Sequence, residues 1–258
     1  MKMNMDTQKV LVTAGASGIG REIVRAFANN GAKVFVIDVD ANALSTLAAE
    51  SPNIETAVCD MGSRADIERV VPDAVRALGG LDVLVNNAGI SGPTASVENY
   101  DPEAWEAVMQ INLNGTFNVT RLAIPHLKRS RAGSIIVMSS VAGRFGYPNR
   151  SAYSVSKWGL IGFTKTLSRE LGEFGVRVNA ILPGAVAGDR IEKVLSGRAQ
   201  VSGRSVDEER RDAMSIQSLQ RFVDPRDIAA LALFLASDAG KSISGQMLPV
   251  DNDMQKAS

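Results

Sequence analysis

Short apolar runs alternate with amphipathic stretches along almost the whole chain, and this rhythm restricts the possible folds more than any single residue does. Lys9–Thr13 (KVLVT) and Lys33–Asp38 (KVFVID) read as buried strands, followed by Ile54–Cys59, Leu81–Asn86, Ser134–Ser139, Val176–Leu182 and a last run near Gln246–Val250. Between them, helical spacing of apolar residues predicts helices over Ile19–Asn30, Ala41–Glu50, 63–78, 101–129, 151–173 and 225–236,. Strands that are apolar at successive positions must be covered on both faces, and helices between successive strands supply that cover. Right-handed crossovers then give an α/β fold, a doubly wound Rossmann-type parallel sheet with helices on both faces.

The 258 residues are 45% hydrophobic, enough for one large core, and no linker, repeat or low-complexity tract marks a second unit,. We therefore expect residues 1–258 to form a single dinucleotide-binding and catalytic domain. Lys+Arg 28 balances Asp+Glu 28, which argues against general attraction to nucleic acid,. No apolar run is long enough to span a membrane, and Met1–Gln8 has no apolar signal region; the expected location is cytoplasmic,. Cys59 is the single cysteine, so neither an internal disulfide nor a metal cluster is expected,. One stretch breaks the rhythm. Residues 188–220 are charged and Arg-rich, and read either as a solvated surface excursion or as a mobile flap over a substrate,.

The first strand leads into Val12–Gly20 (VTAGASGIG), a glycine turn that opens a helix. Glycines there allow the backbone to approach a pyrophosphate, and the free N–H groups of the helix start attract it. Gly15, Ser17, Gly18, Ile19 and Gly20 are the candidate cradle, although the spacing is not the general G-x-G-x-x-G pattern,. Asp38 ends the second strand, where a carboxylate can accept hydrogen bonds from both hydroxyls of an adenosine ribose,. The same charge repels a 2′-phosphate, and no Arg or Lys lies in the loop or directly after Asp38. The expected cofactor is NAD rather than NADP.

Tyr153 and Lys157 are four residues apart, one turn of the predicted helix, which places phenol and ammonium on one face,. Ser140 ends the fifth strand, thirteen residues before Tyr153. A phenol, a cation and a hydroxyl together suit proton transfer to or from a carbonyl or alcohol oxygen. A free phenol is a poor base at neutral pH. A nearby ammonium favours the phenolate, so Tyr153 is expected as general base in oxidation and general acid in reduction, with Ser140 on the substrate oxygen.

Taken in order, these motifs resemble the short-chain dehydrogenase/reductase family, in its subgroup of about 250 residues, essentially from end to end. The glycine loop at 13–20, Asp60, Asn86–Gly89 (NNAG), Asn112, Ser140, Tyr153-x-x-x-Lys157 and Pro183-Gly184 carry the resemblance. It implies that Asp60 and its neighbour Met61 meet the adenine, that Asn87, Ala88 and Gly89 pass beneath the adenosine–nicotinamide bridge, and that Lys157 also reaches the nicotinamide ribose. It implies that Asn112 holds a water in a proton relay, with a packing or helix-kink amide as the plain alternative. For Asp60 the plain alternative is an N-cap for the following helix. The chain departs from the family pattern twice. Ala14 stands where a glycine is usual, and its methyl is compatible with binding if φ stays negative,. The run Ala185–Gly188 lacks the usual threonine, leaving backbone contacts near Pro183, Gly184 and Val186 to the nicotinamide.

The expected partner is a small-molecule substrate, with no nucleic acid and no membrane; the resemblance implies a homotetramer, for which Trp105, Phe117 and Phe163 are candidate contacts. Arg144 and Arg150 are candidates for pairing with a substrate carboxylate or phosphate, with solvation as the alternative,. His126 reads as a surface or packing residue, and Trp105 and Trp158 as packing or subunit-contact residues rather than cofactor stackers. The leading functional expectation is hydride transfer between NAD(H) and a secondary alcohol or ketone of polyol, sugar or hydroxy acid type. A 3-oxoacyl-thioester reductase is the enzymatic rival, which Asp38 disfavours if it uses NADPH. A catalytically silent NAD-sensing protein is the rival of another class, and it predicts a broken Ser–Tyr–Lys set.

Overall fold

The computed structural model describes residues 5–256; the first four residues of the Met1–Gln8 segment, and the outermost ends of the 1–258 domain reading, lie outside them. The strands are β1 (Lys9–Thr13), β2 (Lys33–Asp38), β3 (Ile54–Val58), β4 (Val83–Asn86), β5 (Ser134–Met138), β6 (Arg177–Pro183) and β7 (Met247–Val250). Among the described residues they form one seven-stranded sheet in the order β3-β2-β1-β4-β5-β6-β7. All six neighbouring pairs are parallel. The helices are α1 (Gly18–Asn29), α2 (Ala41–Ala48), α3 (Arg64–Leu78), α4 (Pro102–Met109), α5 (Thr116–Leu127), α6 (Ser151–Leu171), α7 (Asp189–Ser202), α8 (Val206–Ser215) and α9 (Pro225–Ala236).

The apolar strands read as they do because successive side chains enter different cores. Val10 and Val12 of β1 face a core shared with Ile23, Val24 and Phe27 of α1 and with α2 and α9. Leu11, between them, faces the opposite core, which α3, α5 and α6 cover. The same alternation runs through β2, where Val34 and Val36 face one layer and Phe35 and Ile37 the other. Each fully buried side chain of this size contributes roughly 1.5–3 kcal/mol through area removed from water. The chain builds outward from β1 to β3 and then returns to β4 beside β1, so the direction of winding reverses between those two strands. At such a reversal the loops leaving the carboxyl ends diverge and open a crevice.

The 188–220 stretch, read as a solvated excursion or as a flap over a substrate, contains α7 and α8. These pack on each other through Ile191, Val194, Leu195 and Ala213. Ser205 and Glu208 form a reciprocal capping box at the start of α8,. The single helix expected over 101–129 is interrupted by a π turn at Gln110–Gly115,. A side chain at Gly115 would come within 2.5 Å of the Met61 carbonyl oxygen. The close approach of this turn to the end of β3 thus requires glycine.

Candidate active site

A cleft of about 300 Å³ opens at the carboxyl ends of the strands. Ser17, Gly18, Ile19 and Gly20 line it from the start of α1, and Asn87 lines it from the exit of β4. Ser140, Tyr153 and Lys157 line it from β5 and α6, and Pro183, Gly184 and Val186 from β6. Residues expected at separate ends of one ligand therefore meet in one concavity.

The glycine turn has three different constraints. Gly15 is buried against β2, where a Cβ would lie 2.5 Å from Val36 Cγ1. Gly20 packs on the turn itself, where a Cβ would lie 2.3 Å from the Ala14 carbonyl oxygen. Gly18 has φ +51° and open space around its missing side chain. Ser17, the N-cap of α1, makes no side-chain capping bond, so it leaves the first-turn N–H groups free for a ligand,.

Ala14 does not keep a negative φ. Its φ is +49°, in the left-handed region, so the expectation of an unstrained alanine is overturned. The reason is the carbonyl: Asn87 Nδ2 donates to Ala14 O at 2.8 Å and to Thr13 O at 3.1 Å. Thr13 Oγ1 in turn accepts from the N–H groups of Asn87 and Ala88 at 3.0 and 2.9 Å. These bonds tie the exits of β1 and β4 together and hold the turn in a conformation that costs alanine about 1–2 kcal/mol. Replacing Ala14 with glycine removes that strain but adds freedom to the unfolded chain. The expected net gain is about 0.5–1 kcal/mol, read as a higher urea midpoint at unchanged slope. A lower midpoint would contradict the strained conformation.

Asp38 lies at the end of β2, outside the cleft but bonded to its wall. Its Oδ2 accepts from Ala16 N at 3.0 Å and its Oδ1 from Asp40 N at 3.2 Å. Asp60 is exposed, and its Oδ1 accepts from Gly62 N at 2.7 Å. The N-cap of α3 is Ser63, so the capping alternative for Asp60 does not hold. Met61 and Ala88 are buried and, like Asp60, Gly89 and Gly15, do not line the cleft.

Lys157 is 2% exposed, and its ammonium donates to Met138 O at 2.8 Å. Burial pushes its pKa down to about 7, and the Arg190 guanidinium adds to the effect. Its Nζ lies 5.6 Å from the centroid of the Tyr153 ring. Tyr153 Oη makes no hydrogen bond among the described residues and faces the cleft. Ser140 Oγ accepts from Ala142 N at 3.1 Å, which leaves its proton free to donate. Gly143 and Ser139 let α6 approach β5: Ser139 Oγ donates to Lys157 O at 2.8 Å, and a Cβ on Gly143 would lie 2.7 Å from that oxygen.

Asn112 is fully buried within the π turn. Its Oδ1 accepts from Ile90 N at 2.8 Å, and its Nδ2 donates to Ile90 O at 3.0 Å and Ser156 Oγ at 2.9 Å. Both amide protons are thus committed to holding the loop after β4 against α6. A Cβ on Gly89 would come within 3.2 Å of Asn112 Oδ1 and 3.3 Å of Lys157 Nζ, so Asn112 stands beside the ammonium.

Tyr147, Arg198, Ala213 and Ile216, from the 141–150 segment and the 188–220 stretch expected to shape substrate specificity, line the cleft, as does Met254, which sequence reasoning missed. The stripe Ile191, Val194 and Leu195, with the Ser205/Glu208 capping pair, is a helix signal that could have revealed the α7–α8 wall. Met254 has no such signal; it arrives because the stretch after β7 pairs with Gln217. Arg144 is exposed, near the Phe145 ring, and lies outside the cleft, whereas Arg150 lines it. His126 lies on α5 with its Nδ1 2.8 Å from Arg129 Nη2, also outside the cleft. Cys59 is fully buried, and desolvation raises its pKa to about 11, consistent with an inert packing residue,.

A sequence profile described as short chain dehydrogenase matches residues 8–198. The chain belongs to this family. It is 36% identical over 256 residues to the 3-oxoacyl-[acyl-carrier-protein] reductase of Thermotoga maritima, covering 98% of this chain and 99% of that one. It is 37% identical over 253 residues to the D-beta-hydroxybutyrate dehydrogenase of Cupriavidus necator, covering 96% and 97%. Among solved structures, an NAD+-bound xylitol dehydrogenase superposes with a TM-score of 0.91 at 28% identity, covering 95% of this chain and 98% of that one. The protein is an oxidoreductase of the short-chain dehydrogenase type, with a Rossmann-type fold and a small-molecule substrate. Among the described residues no helix is long and apolar enough to cross a membrane.

Proposed function

We propose that this oxidoreductase transfers a hydride between NAD(H) and a secondary alcohol or ketone of a polar small molecule of polyol, sugar or hydroxy acid type. The observation that carries the reading is the meeting of Ser140, Tyr153 and Lys157 with the glycine cradle in one cleft. The residues present fit a dinucleotide: Gly18 leaves open space at a helix start whose N-cap side chain is idle, and Asp38 stands at the end of the adjoining strand.

The bound nicotinamide supplies the hydride acceptor or donor. Tyr153 takes the hydroxyl proton of an alcohol in oxidation and returns it in reduction. Ser140 donates its free proton to the substrate oxygen and stabilises charge that develops there. Lys157 has protons left after its bond to Met138 O, and ribose hydroxyls accepting them favour its charged form,. Asn112 fixes the wall beside Lys157, and any relay role falls to its oxygen atoms, since its amide protons are used.

For the cofactor, Gly15, Ser17, Gly18, Ile19 and Gly20 would hold the pyrophosphate, Asp38 the adenosine ribose, and Asp60 and Met61 the adenine. Asn87, Ala88 and Gly89 would support the adenosine–nicotinamide bridge, and Pro183, Gly184 and Val186 the nicotinamide. Ala185 O and Ala187 N both pair with Val223, which leaves the N–H and C=O of Val186 on the opposite edge, available to a ligand,. The relative in Thermotoga maritima supports acyl-thioester reduction as a second reading. Asp38 weighs against that reading if such a reductase requires NADPH.

A screen of polyols, sugars, hydroxy acids and acyl thioesters with NAD(H) and NADP(H), in both directions, tests the proposal. Turnover with NAD(H) is expected to exceed that with NADP(H), and Asp38→Ala to weaken NADH binding at least about tenfold while narrowing the preference, since one or two charge-assisted hydrogen bonds are lost. Unchanged NADH affinity removes Asp38 from this role, and exclusive acyl-thioester turnover favours the second reading. The proposed assembly is a cytoplasmic homotetramer, supported by the exposed Phe117, Val155 and Trp158 on α5 and α6. Sedimentation equilibrium showing only single chains would end that part.

A further inference from the structure

Arg150 is a cleft charge that the mechanism above leaves unused. It is 3% exposed, at the entry to α6 three residues before Tyr153. Its Nη1 donates to Thr94 Oγ1 at 3.0 Å. Its Nε is buried without an acceptor, and no ion pair relieves it among the described residues. A guanidinium does not lose its proton, so it cannot escape burial by becoming neutral. A buried charge without a counter-ion is strongly unfavourable. The flanking rings offset this only in part: its Cζ lies 5.7 Å from the Tyr147 ring centroid and 5.6 Å from that of Tyr153,.

The surroundings reinforce the positive field. Arg198 Nη2 donates to Tyr147 Oη at 2.5 Å, which fixes the far side of that ring. Arg190 bridges α7 to the loop after β4 by donating to Gly89 O at 2.7 Å. Lys157 lies deeper, and Asp189 is the one carboxylate among the lining residues.

We propose that the substrate carries a carboxylate and that the Arg150 guanidinium holds it. The inference rests on the oxidoreductase reading and narrows its substrate to a short hydroxy acid, or the corresponding oxo acid. A carboxylate matches the planar guanidinium of Arg150, whose Nη N–H groups are not all taken up by Thr94,. The guanidinium carbon lies 5.6 Å from the centroid of the ring that carries the reacting phenol, and both line one cleft, so anion and carbinol belong close together in the substrate. A short acid with its hydroxyl at carbon 2 or 3 fits that closeness.

The test uses the intact protein with NAD+ and three acids, lactate, 3-hydroxybutanoate and 3-hydroxypentanoate, each beside its methyl ester. Glycerol 3-phosphate serves as the phosphate control. An anion site of this kind rejects the uncharged analogue strongly, and at least one acid is expected to exceed its ester by about 10³ in kcat/KM. Sodium propionate is expected to inhibit competitively against the alcohol. Arg150→Met should bring the acid-to-ester ratio near one, mainly through KM, and Arg150→Lys should restore part of it. NADH titration and melting temperature confirm that each variant is folded. An acid-to-ester ratio near one in the unaltered protein, with no inhibition by propionate, overturns the proposal without needing any variant. A preference for glycerol 3-phosphate overturns the carboxylate assignment, and an acid-to-ester ratio unchanged in Arg150→Met reduces Arg150 to an anchor for Thr94. Turnover of neutral alcohols alone would spare the oxidoreductase reading while sinking this one; absence of all turnover would sink both.

Discussion

Replacing Tyr153 with phenylalanine is expected to lower turnover by about 10²–10⁴-fold, the usual contribution of a positioned acid–base group. The substitution deletes one oxygen and keeps the ring. That ring is what Arg150 and Lys157 lie over, at 5.6 Å from its centroid in each case. The oxygen has no hydrogen-bond partner among the described residues, so stability should change by no more than about 0.5 kcal/mol. NADH affinity should likewise be nearly unchanged. Steady-state rates, a fluorescence titration with NADH and a melting curve read the three parts separately. Turnover that survives the substitution removes Tyr153 from the acid–base role, and lost NADH binding would instead assign the phenol to cofactor recognition.

Lys157→Met is expected to oppose activity and stability. The ammonium is buried, has one protein acceptor, and is held at a pKa of about 7 by burial, with Arg190 contributing. The folded value lies below the ordinary lysine value of 10.5, so the unfolded chain binds this proton more tightly,. The stability linked to this group is therefore full above about pH 10.5 and falls as the pH drops towards 7, below which it is lost. A methionine of similar length carries no such penalty. At pH 7 the variant should be more stable, by an amount on the order of a few kcal/mol, and its melting temperature should lose the rise between pH 7 and 10. Its turnover should fall at least about a hundredfold, because the proton-transfer site loses its cation. A variant that melts lower than the parent at pH 7 would show that contacts of the ammonium outweigh its desolvation. Such a trade of stability for function is common where a buried charge serves chemistry.

The lowering of the Lys157 pKa by burial also refines the expected role of this residue. One-turn spacing places the ammonium near the phenol, but spacing carries no information about solvent. Burial decides how much of the charge is present, and acceptors brought by a ligand would restore it. Ala14 teaches a similar lesson. Its position in the turn is readable, yet the sign of its φ follows from Asn87, more than seventy residues away, pulling on its carbonyl.

The parallel sheet, the order of the strands along the chain, and the one-turn spacing of Tyr153 and Lys157 were all determined by sequence alone, because each depends on local periodicity: two for strands, 3.6 for helices, four residues for one turn. Strand ends shifted by a residue or two, as ends do where hydrogen bonding rather than hydropathy ends the ladder,. Tertiary structure alone decided the rest. It set α7 and α8 against the cleft, carried Met254 to it, left Arg144 exposed and buried Arg150 without a counter-ion. Those outcomes depend on which distant surfaces meet and how much water they exclude, and burial of a charge is a property of its surroundings rather than of its place in the chain.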